Sequence, residues 1–400
     1  MSGQTLHFEI LIKASPDEVY HALTNSTRLR EWMCDLATTD PKPNGRIYLA
    51  WFPGFYGVGH FTKLNKDKMV AYTWYGRDEP RSTLVTFTLT PEKEGTRLKL
   101  SHSELGTGKK WEQVKQNFTH SWNSGLDNLV SVLETGLDQR FVRRPMLGVF
   151  LDEFNPEIAQ KLGIPVTEGV RLGGVVEGMG AQAAGLQAND ILVRMGKVDI
   201  RDYGSLGYVI GAHQAGEVVD VEFYRGSEKK ILPMKLSGRP LPTIPATPKE
   251  LANQVAGNYA QDLAALFSAF EGVSEAEASH NPAPGEWNAK EVLAHLIHAE
   301  RGVHTFIQDI VGGYEPIYDD GANMTVRNIA TITSFPTVKD LLAEHEHLVK
   351  ESIAFISLLP ESFTQHKSSY WRLGYNVLQP PSHLHSHLAQ IKSAIQAARK

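Results

Sequence analysis

Pro380-Pro381-Ser382-His383-Leu384-His385-Ser386-His387-Leu388-Ala389-Gln390-Ile391 stands near the C-terminus, and its reading decides the architecture of the last third of the chain. Proline is tolerated in the first turn of a helix and not deeper, so the proline pair is expected to mark a helix start. From there, residues four apart share a face, and His383 and His387 point the same way. Two imidazoles on one helical face are a natural half of a transition-metal site. His385 lies two positions on and faces elsewhere. A third ligand has to come from another element, and the best stretch for it is Trp287-Asn288-Ala289-Lys290-Glu291-Val292-Leu293-Ala294-His295-Leu296.

Working outward, helical patterns run over about 248–271, 287–312, 337–358 and 381–398, separated by loops with Pro and Gly. Thr247-Pro248-Lys249-Glu250 opens the first of them as a capping box with proline at the first helical position. Four helices of this length point to an all-α four-helix bundle, and bundle cores are where metal sites are built from facing helices. Gly238-Arg239-Pro240-Leu241-Pro242-Thr243-Ile244-Pro245-Ala246 ahead of them is a stiff, Pro-rich linker, placing a boundary over 238–247.

The Trp287–Leu296 pattern, with His383-x-x-x-His387 followed by Gln390-Ile391, resembles the DinB-like family over about residues 248–400. Relatives include bacterial thiol-dependent transferases of the YfiT and mycothiol-dependent isomerase type. The resemblance implies a divalent metal ion, zinc or nickel, held by one His of the second helix and the His pair of the fourth. Carried over by position, these are His295, His383 and His387. Three imidazoles leave open positions for water or a thiol, whose pKa the metal lowers. His298, one turn after His295, is either a substitute or supporting ligand, or an exposed helical His. Glu300 and Arg301 near the bundle mouth read equally well as solvated charges, and no catalytic residue is assigned. A low-molecular-weight thiol is the further cofactor that the resemblance admits.

In the middle of the chain, a polar and basic connector, Gly136–Arg144, leads into Pro145-Met146-Leu147-Gly148-Val149-Phe150-Leu151. A strand pattern at 168–176 and a short helix and turn in Ala181-Gln182-Ala183-Ala184-Gly185-Leu186-Gln187-Ala188-Asn189-Asp190-Ile191-Leu192 follow. This order resembles a PDZ domain of the bacterial protease-associated kind over 144–237, a β-sandwich or barrel-like module. Gln182 and Asn189 depart from that pattern, standing where Pro and Gly are frequent. The resemblance implies docking of a protein or peptide C-terminus as an added strand beside Val149. Leu147 and Gly148 would present backbone N–H groups to the carboxylate, and Leu206, Val209 and Ile210 would form the other wall. Arg143 and Arg144 add charge for a carboxylate or are a solvated linker. No Ser/His/Asp set surrounds this module, so a protease is not expected.

In the first third, an alternating run from Leu6 to Ile12 precedes a helix capped by Ser15, with Pro16 at its first position and Glu18 at its third. Strand patterns follow at 46–52, 60–64, 69–75, 83–90 and 96–104, and then an amphipathic helix from Trp111 to Leu133 with Val114, Phe118, Trp122, Leu126, Leu129 and Leu133 on one face. The run Ile10–Trp32 resembles the SRPBCC/START-like superfamily, in the branch of the activator of heat-shock protein 90 ATPase homologues, over about 5–137. It implies a helix-grip fold with a cavity between sheet and helix for a small apolar ligand. Trp51, Phe61, Tyr72, Trp74 and Trp122 are the cavity candidates, with Phe52, Phe55 and Tyr56 as further aromatics. His60 and His102 are isolated and read as structural.

The expectation is therefore a multidomain α+β protein: 1–137 START-like, 144–237 PDZ, 248–400 bundle. An apolar content of 42% against 21% charged residues is that of a globular protein. A net charge of -5 argues against nucleic acid as a partner. The single cysteine, Cys34, excludes an internal disulfide framework and fits a reducing compartment. With no signal peptide and no apolar run long enough to span a membrane, a bacterial cytoplasmic protein is expected. Two functions compete: a multi-module binding protein, and a metal-dependent, thiol-using transferase or related detoxifying enzyme.

Overall fold

A computed structural model describes residues 4–52, 54–77, 79–283, 285–316, 325–379 and 383–400. The chain forms two compact units: Met1–Leu137 together with Pro242–Lys400, and Asp138–Leu241. The first unit begins with β1 (Gln4–Ile12), α1 (Pro16–Thr24) and α2 (Ser26–Trp32). Strands β2 (Leu36–Thr39), β3 (Arg46–Trp51), β4 (Phe55–Asn65), β5 (Met69–Gly76), β6 (Thr83–Glu92) and β7 (Gly95–Leu105) follow, and then α3 (Lys109–Thr135). The strands pair antiparallel in the order β1-β7-β6-β5-β4-β3-β2. Along β6 burial alternates with period two, so Val85, Phe87 and Leu89 face inward. They share one core with Phe118, Trp122, Leu126 and Leu129 of α3, the helix-grip arrangement that the patterns imply.

One element here, α2, has no sequence signal of its own. Asn25 ends α1 and also caps α2, its side-chain oxygen accepting from the Arg28 backbone N–H at 3.1 Å. With one residue between the helices there is no loop to read. Ser15 caps α1 as expected, but Glu18 does not return to the cap. Its carboxylate goes to Arg28 at 2.7 Å instead.

The second unit holds α4 (Gln139–Val142), β8 (Val149–Asp152), α5 (Pro156–Leu162), β9 (Val170–Val175), α6 (Gly180–Ala183), β10 (Ile191–Met195), β11 (Val198–Asp199), α7 (Tyr203–Gly211), β12 (Val218–Arg225) and β13 (Glu228–Lys235). Its sheet runs β13-β12-β10-β9-β8, with β11 paired to β10. Among the described residues β8 and β13 do not pair along their length, but Met146 before β8 and Ser237 after β13 form one antiparallel bridge, so the module is barrel-like without being a closed barrel. Asn189 stands in the left-handed region at φ +68°, where Asn is the usual substitute for Gly. Gln182 accepts from the Gly178 N–H at 2.7 Å, tying down the turn before it. Both departures from the PDZ pattern therefore have local partners or geometry of their own.

The first unit resumes with α8 (Pro248–Ala269), α9 (Glu275–Ala278), α10 (Ala289–Gly312), α11 (Thr325–Ser334), α12 (Val338–Ser357), α13 (Lys367–Leu378) and α14 (His383–Ala398). The Thr247/Glu250 capping box forms with Pro248 at the first position. Helices α8, α10, α12 and α14 are the four anticipated ones. Pro380, Pro381 and Ser382, expected to start α14, lie outside the described residues. Helices α11 and α13 were not anticipated, and α13 has a structural task. Its Ser369 and Arg372, with Glu315, meet Arg28 and Glu31 of α2 in a largely buried network. Gly136, at φ +82°, lets the chain pass α13 closely, since a Cβ there would lie 2.7 Å from the Lys367 carbonyl oxygen. The first and last thirds of the sequence are thus one packed body.

Candidate functional site

Asn288 caps α10 in a reciprocal box with Glu291, each accepting the other's backbone N–H at 2.9 Å. That cap fixes where α10 starts and therefore where His295, two turns later, projects. The ring of Trp287 lies 5.1 Å from that of His295. Across the bundle, α14 presents His383 and His387 one turn apart. The Nε2 atoms of His295 and His383 are 3.2 Å apart, and those of His387 and His383 are 3.1 Å apart. All three ligand atoms lie within 4.8 Å of one another.

Ligand nitrogens about 2.0–2.1 Å from a tetrahedral zinc sit roughly 3.3 Å apart, close to the spacings seen here. Without a cation, the Nε2 of His383 faces two other nitrogens while carrying one proton or one lone pair, so it satisfies one contact and not both. A cation facing three lone pairs satisfies all of them. His387 Nδ1–H donates to Gln390 Oε1 at 2.8 Å, which turns the Nε2 lone pair toward the cluster. Burial and the neighbouring imidazoles push His295 down to about 4, and burial with His387 lowers His383. Both rings are thus neutral near pH 7, the ligand-competent form. The residues fit a divalent ion.

His298 is not part of this cluster. It is buried, with Nε2 3.1 Å from the Arg327 carbonyl and 3.0 Å from the Thr331 hydroxyl, and so it anchors α11. Neither the supporting-ligand nor the exposed reading of it stands. His385 does face elsewhere, toward Asp262 at 3.5 Å.

His383 also borders a polar cavity of about 610 Å³, together with Tyr259, Asp262, Glu300 and His345. Glu300 is only 4% exposed, which corrects its reading as a solvated charge. Its carboxylate accepts from the Tyr259 hydroxyl at 2.7 Å and from the Ser352 hydroxyl. Arg301 pairs with Glu344 at 2.7 Å. Burial and His383 push His345 down to about 4. Sequence reasoning missed Tyr259, His345 and Ser352, because residues on α8 and α12 converge with α10 only through bundle packing.

In the first third, a cavity of about 320 Å³ opens between the sheet and α3. Trp51, Trp74 and Trp122 line it. Phe61 and Tyr72 do not: at 0% and 2% exposed they are core, their rings edge-on at 6.0 Å. Phe52 is 73% exposed, and Tyr56 is also on the surface. Phe55 lines the cavity, as do Trp32, Phe118 and Glu79, which sequence reasoning did not single out. His60 is exposed, whereas His102 is fully buried behind the wall. It accepts from the Trp122 indole N–H through Nδ1 at 3.1 Å and donates through Nε2 to the Thr83 hydroxyl at 2.8 Å.

Burial pushes His102 down to about 3. Its folded-state pKa lies below the unfolded value near 6.5, so the unfolded chain binds the extra proton between those limits. Stability is full above pH 6.5, falls as pH drops toward 3, and levels off below that. The contribution is on the order of 5 kcal/mol. Urea unfolding at pH 7 and pH 4 checks this: His102→Gln is expected to flatten the pH dependence by about one proton, and an unchanged slope counts against it.

In the second unit, β8 is an edge strand of its sheet, and Leu206, Val209 and Ile210 lie on α7. Leu147, Leu206 and Val209 are core residues at 1–4% exposed, while Val149 and Ile210 are half-buried at its margin. Gly148 has φ +75°, and a Cβ there would lie 2.2 Å from Met179 Cβ. The Tyr203 hydroxyl donates to the Asp152 carbonyl at 2.7 Å, occupying one end of the β8 edge. Arg143 and Arg144 are exposed.

Residues 13–134 match the family model described as activator of Hsp90 ATPase homolog 1-like protein, and residues 258–391 match the DinB superfamily. The chain therefore carries an activator-like domain in its first third and a DinB-like domain in its last. Its middle region is similar to serine proteases of the DegP and HtrA kind. A probable periplasmic DegP-like serine endoprotease from Marinomonas sp. (strain MWYL1) is 29% identical over 136 residues, covering 33% of this chain and 29% of that relative. The serine protease Do-like HtrA of Lactococcus lactis subsp. cremoris (strain MG1363) is 30% identical over 115 residues, covering 28% of each. The chain thus spans less than a third of the length of these curated relatives. Among solved structures, an Aha1 dimer from Colwellia psychrerythraea is 23% identical, covering 33% of this chain and 96% of that one, with a TM-score of 0.30. An HSP90 activator from Plasmodium falciparum is 26% identical, covering 34% and 97%, with a TM-score of 0.28. Among the described residues no helix is long and apolar enough to cross a membrane.

Proposed function

We propose that this chain is a multi-module binding protein that holds one divalent ion, zinc or nickel, through His295, His383 and His387. In the same reading, the first third takes up a small apolar ligand and the middle module docks a protein or peptide C-terminus. The observation that carries the proposal is the convergence of three imidazole Nε2 atoms from two helices within 4.8 Å. A single, buried cysteine supports a reducing, cytoplasmic setting. The likeness to proteases falls in the middle region, which supports a docking module there.

A second reading is favoured by one observation: the His383 side of the cluster borders a polar cavity with a buried carboxylate, Glu300, held by two hydroxyls. A divalent ion there supplies Lewis acidity, lowering the pKa of a thiol or water that approaches it. Glu300, with Tyr259 and Ser352, is placed to hold or accept a proton in the cavity. That arrangement suits a metal-dependent transferase using a low-molecular-weight thiol of the bacillithiol or mycothiol type.

Metal content of the untagged full chain, measured by mass spectrometry after reconstitution, tests the first reading. About one ion per chain is expected, and none overturns it. For the middle module, peptides with apolar C-termini are expected to bind at about micromolar strength. Gly148→Val is expected to weaken them about tenfold or more, because the new side chain meets both a left-handed φ and Met179. Equal binding by wild type and variant would remove Gly148 from the site.

A further inference from the structure

The cavity between the sheet and α3 is walled by six aromatic rings: Trp32, Trp51, Phe55, Trp74, Phe118 and Trp122. Each of the four indole N–H groups already donates within the protein. Trp32 donates to the Ala22 carbonyl at 2.9 Å, Trp51 to the Met33 carbonyl, Trp74 to Glu79 Oε1 at 3.2 Å, and Trp122 to His102 at 3.1 Å. The indoles therefore offer the cavity π faces and no donors. Trp74 meets Trp51, Phe118 and Trp122 with centroids 6.1–6.2 Å apart, so these faces lie around one space.

Into this wall is set one carboxylate. Glu79 is 5% exposed, and its Oε2 has no hydrogen-bond partner among the described residues. No Lys, Arg or His pairs with it there either. The backbone makes room for it, since a Cβ on Gly76 would lie 2.4 Å from that oxygen. A buried carboxylate without a counter-charge is strongly unfavourable unless it takes up a proton or a cation is supplied to it. Aromatic faces around it attract the same sign of charge through their quadrupoles.

We propose that this cavity binds an organic ammonium ion: an apolar body against the indoles, with an N–H⁺ head on the carboxylate of Glu79, which lines the cavity. The lining also includes Asn117 and Ser121 of α3, so a ligand presenting only acceptors finds donors there and none on the indoles. This inference rests on the reading that the cavity holds a small apolar ligand and adds the charge that selects it.

Two isosteric probes separate the two claims. N,N-dimethylbenzylammonium and isobutylbenzene differ by one N–H⁺ in place of a C–H, and tryptophan fluorescence of the full chain reports binding of either. Wild type is expected to bind the ammonium at least as tightly as the hydrocarbon, despite the cost of stripping water from a cation. Glu79→Gln, checked for an unchanged melting temperature, is expected to weaken the ammonium about tenfold or more while shifting isobutylbenzene less than about twofold. Wild type that takes the hydrocarbon and refuses the ammonium overturns the inference and leaves the apolar-ligand reading standing, even if the Gln variant does not fold. Equal loss of both probes in a folded Gln variant also overturns it. If neither probe binds wild type, both readings fall.

Discussion

Replacing His383 with alanine is expected to take the metal content from about one ion per chain to none. His383 is the ring whose Nε2 lies within 3.2 Å of both other ligands, so its loss leaves two nitrogens that no longer share a neighbour. A two-His remnant lacks the three-ligand minimum typical of catalytic zinc sites. The same change is expected to abolish stabilisation by added metal, which for the wild type is about 3 kcal/mol at a hundredfold excess over Kd. Elemental analysis and melting curves with and without zinc or nickel check both effects. His298→Ala is the control, since its Nε2 is engaged with Arg327 and Thr331 and metal content is expected to stay at the wild-type level. An unchanged stoichiometry in His383→Ala would remove the three-His site. Thiol-dependent turnover surviving the change would remove the transferase reading.

Glu31→Leu is expected to lower the stability of the first unit by about 3 kcal/mol, the lower end of the range for breaking a buried ion pair. Its side chain is 1% exposed and meets Arg28 at 3.1 Å, Arg372 at 3.4 Å and the Ser369 hydroxyl at 2.7 Å. The lower end applies because neither cation is left alone. Arg28 keeps Glu18 at 2.7 Å, and Arg372 keeps Glu315 at 2.6 Å. A loss of this size in a unit this large corresponds to a melting shift of roughly 5–10 °C. The exposed pair of Glu92 and Arg97 supplies the contrast, and Glu92→Gln is expected to leave melting nearly unchanged. A Glu31→Leu protein that melts with the wild type would mean that the network does not hold the first and last thirds together.

Much of this protein was legible in its residues one stretch at a time. Short-range rules sufficed for the Ser15 and Thr247 caps, for the strand pattern of β6 and for the apolar stripe of α3. They also sufficed for the shared face of His383 and His387, because a helix repeats every few residues whatever surrounds it. Family likeness then carried His295, which periodicity alone could not join to a pair 88 residues away. Helices α11 and α13 escaped notice because their signal lies in what they pack against. Phe61 and Tyr72 were misplaced for a related reason: an aromatic in a strand looks the same whether it fills a core or walls a cavity.

By itself, then, spacing along the chain determined the starts of α1 and α8, the four long helices of the last third and two of the three imidazoles on a common face, while family likeness supplied the order of the modules. Only the tertiary structure decided the rest. It turned Glu300 from a surface charge into a buried acceptor, left Glu79 Oε2 without a partner among the described residues, and set Glu31 between Arg28 and Arg372. The physical reason is that a charged side chain takes its meaning from its solvent and its counter-ions. Those are supplied by residues tens to hundreds of positions away, whose distances close only when the chain folds.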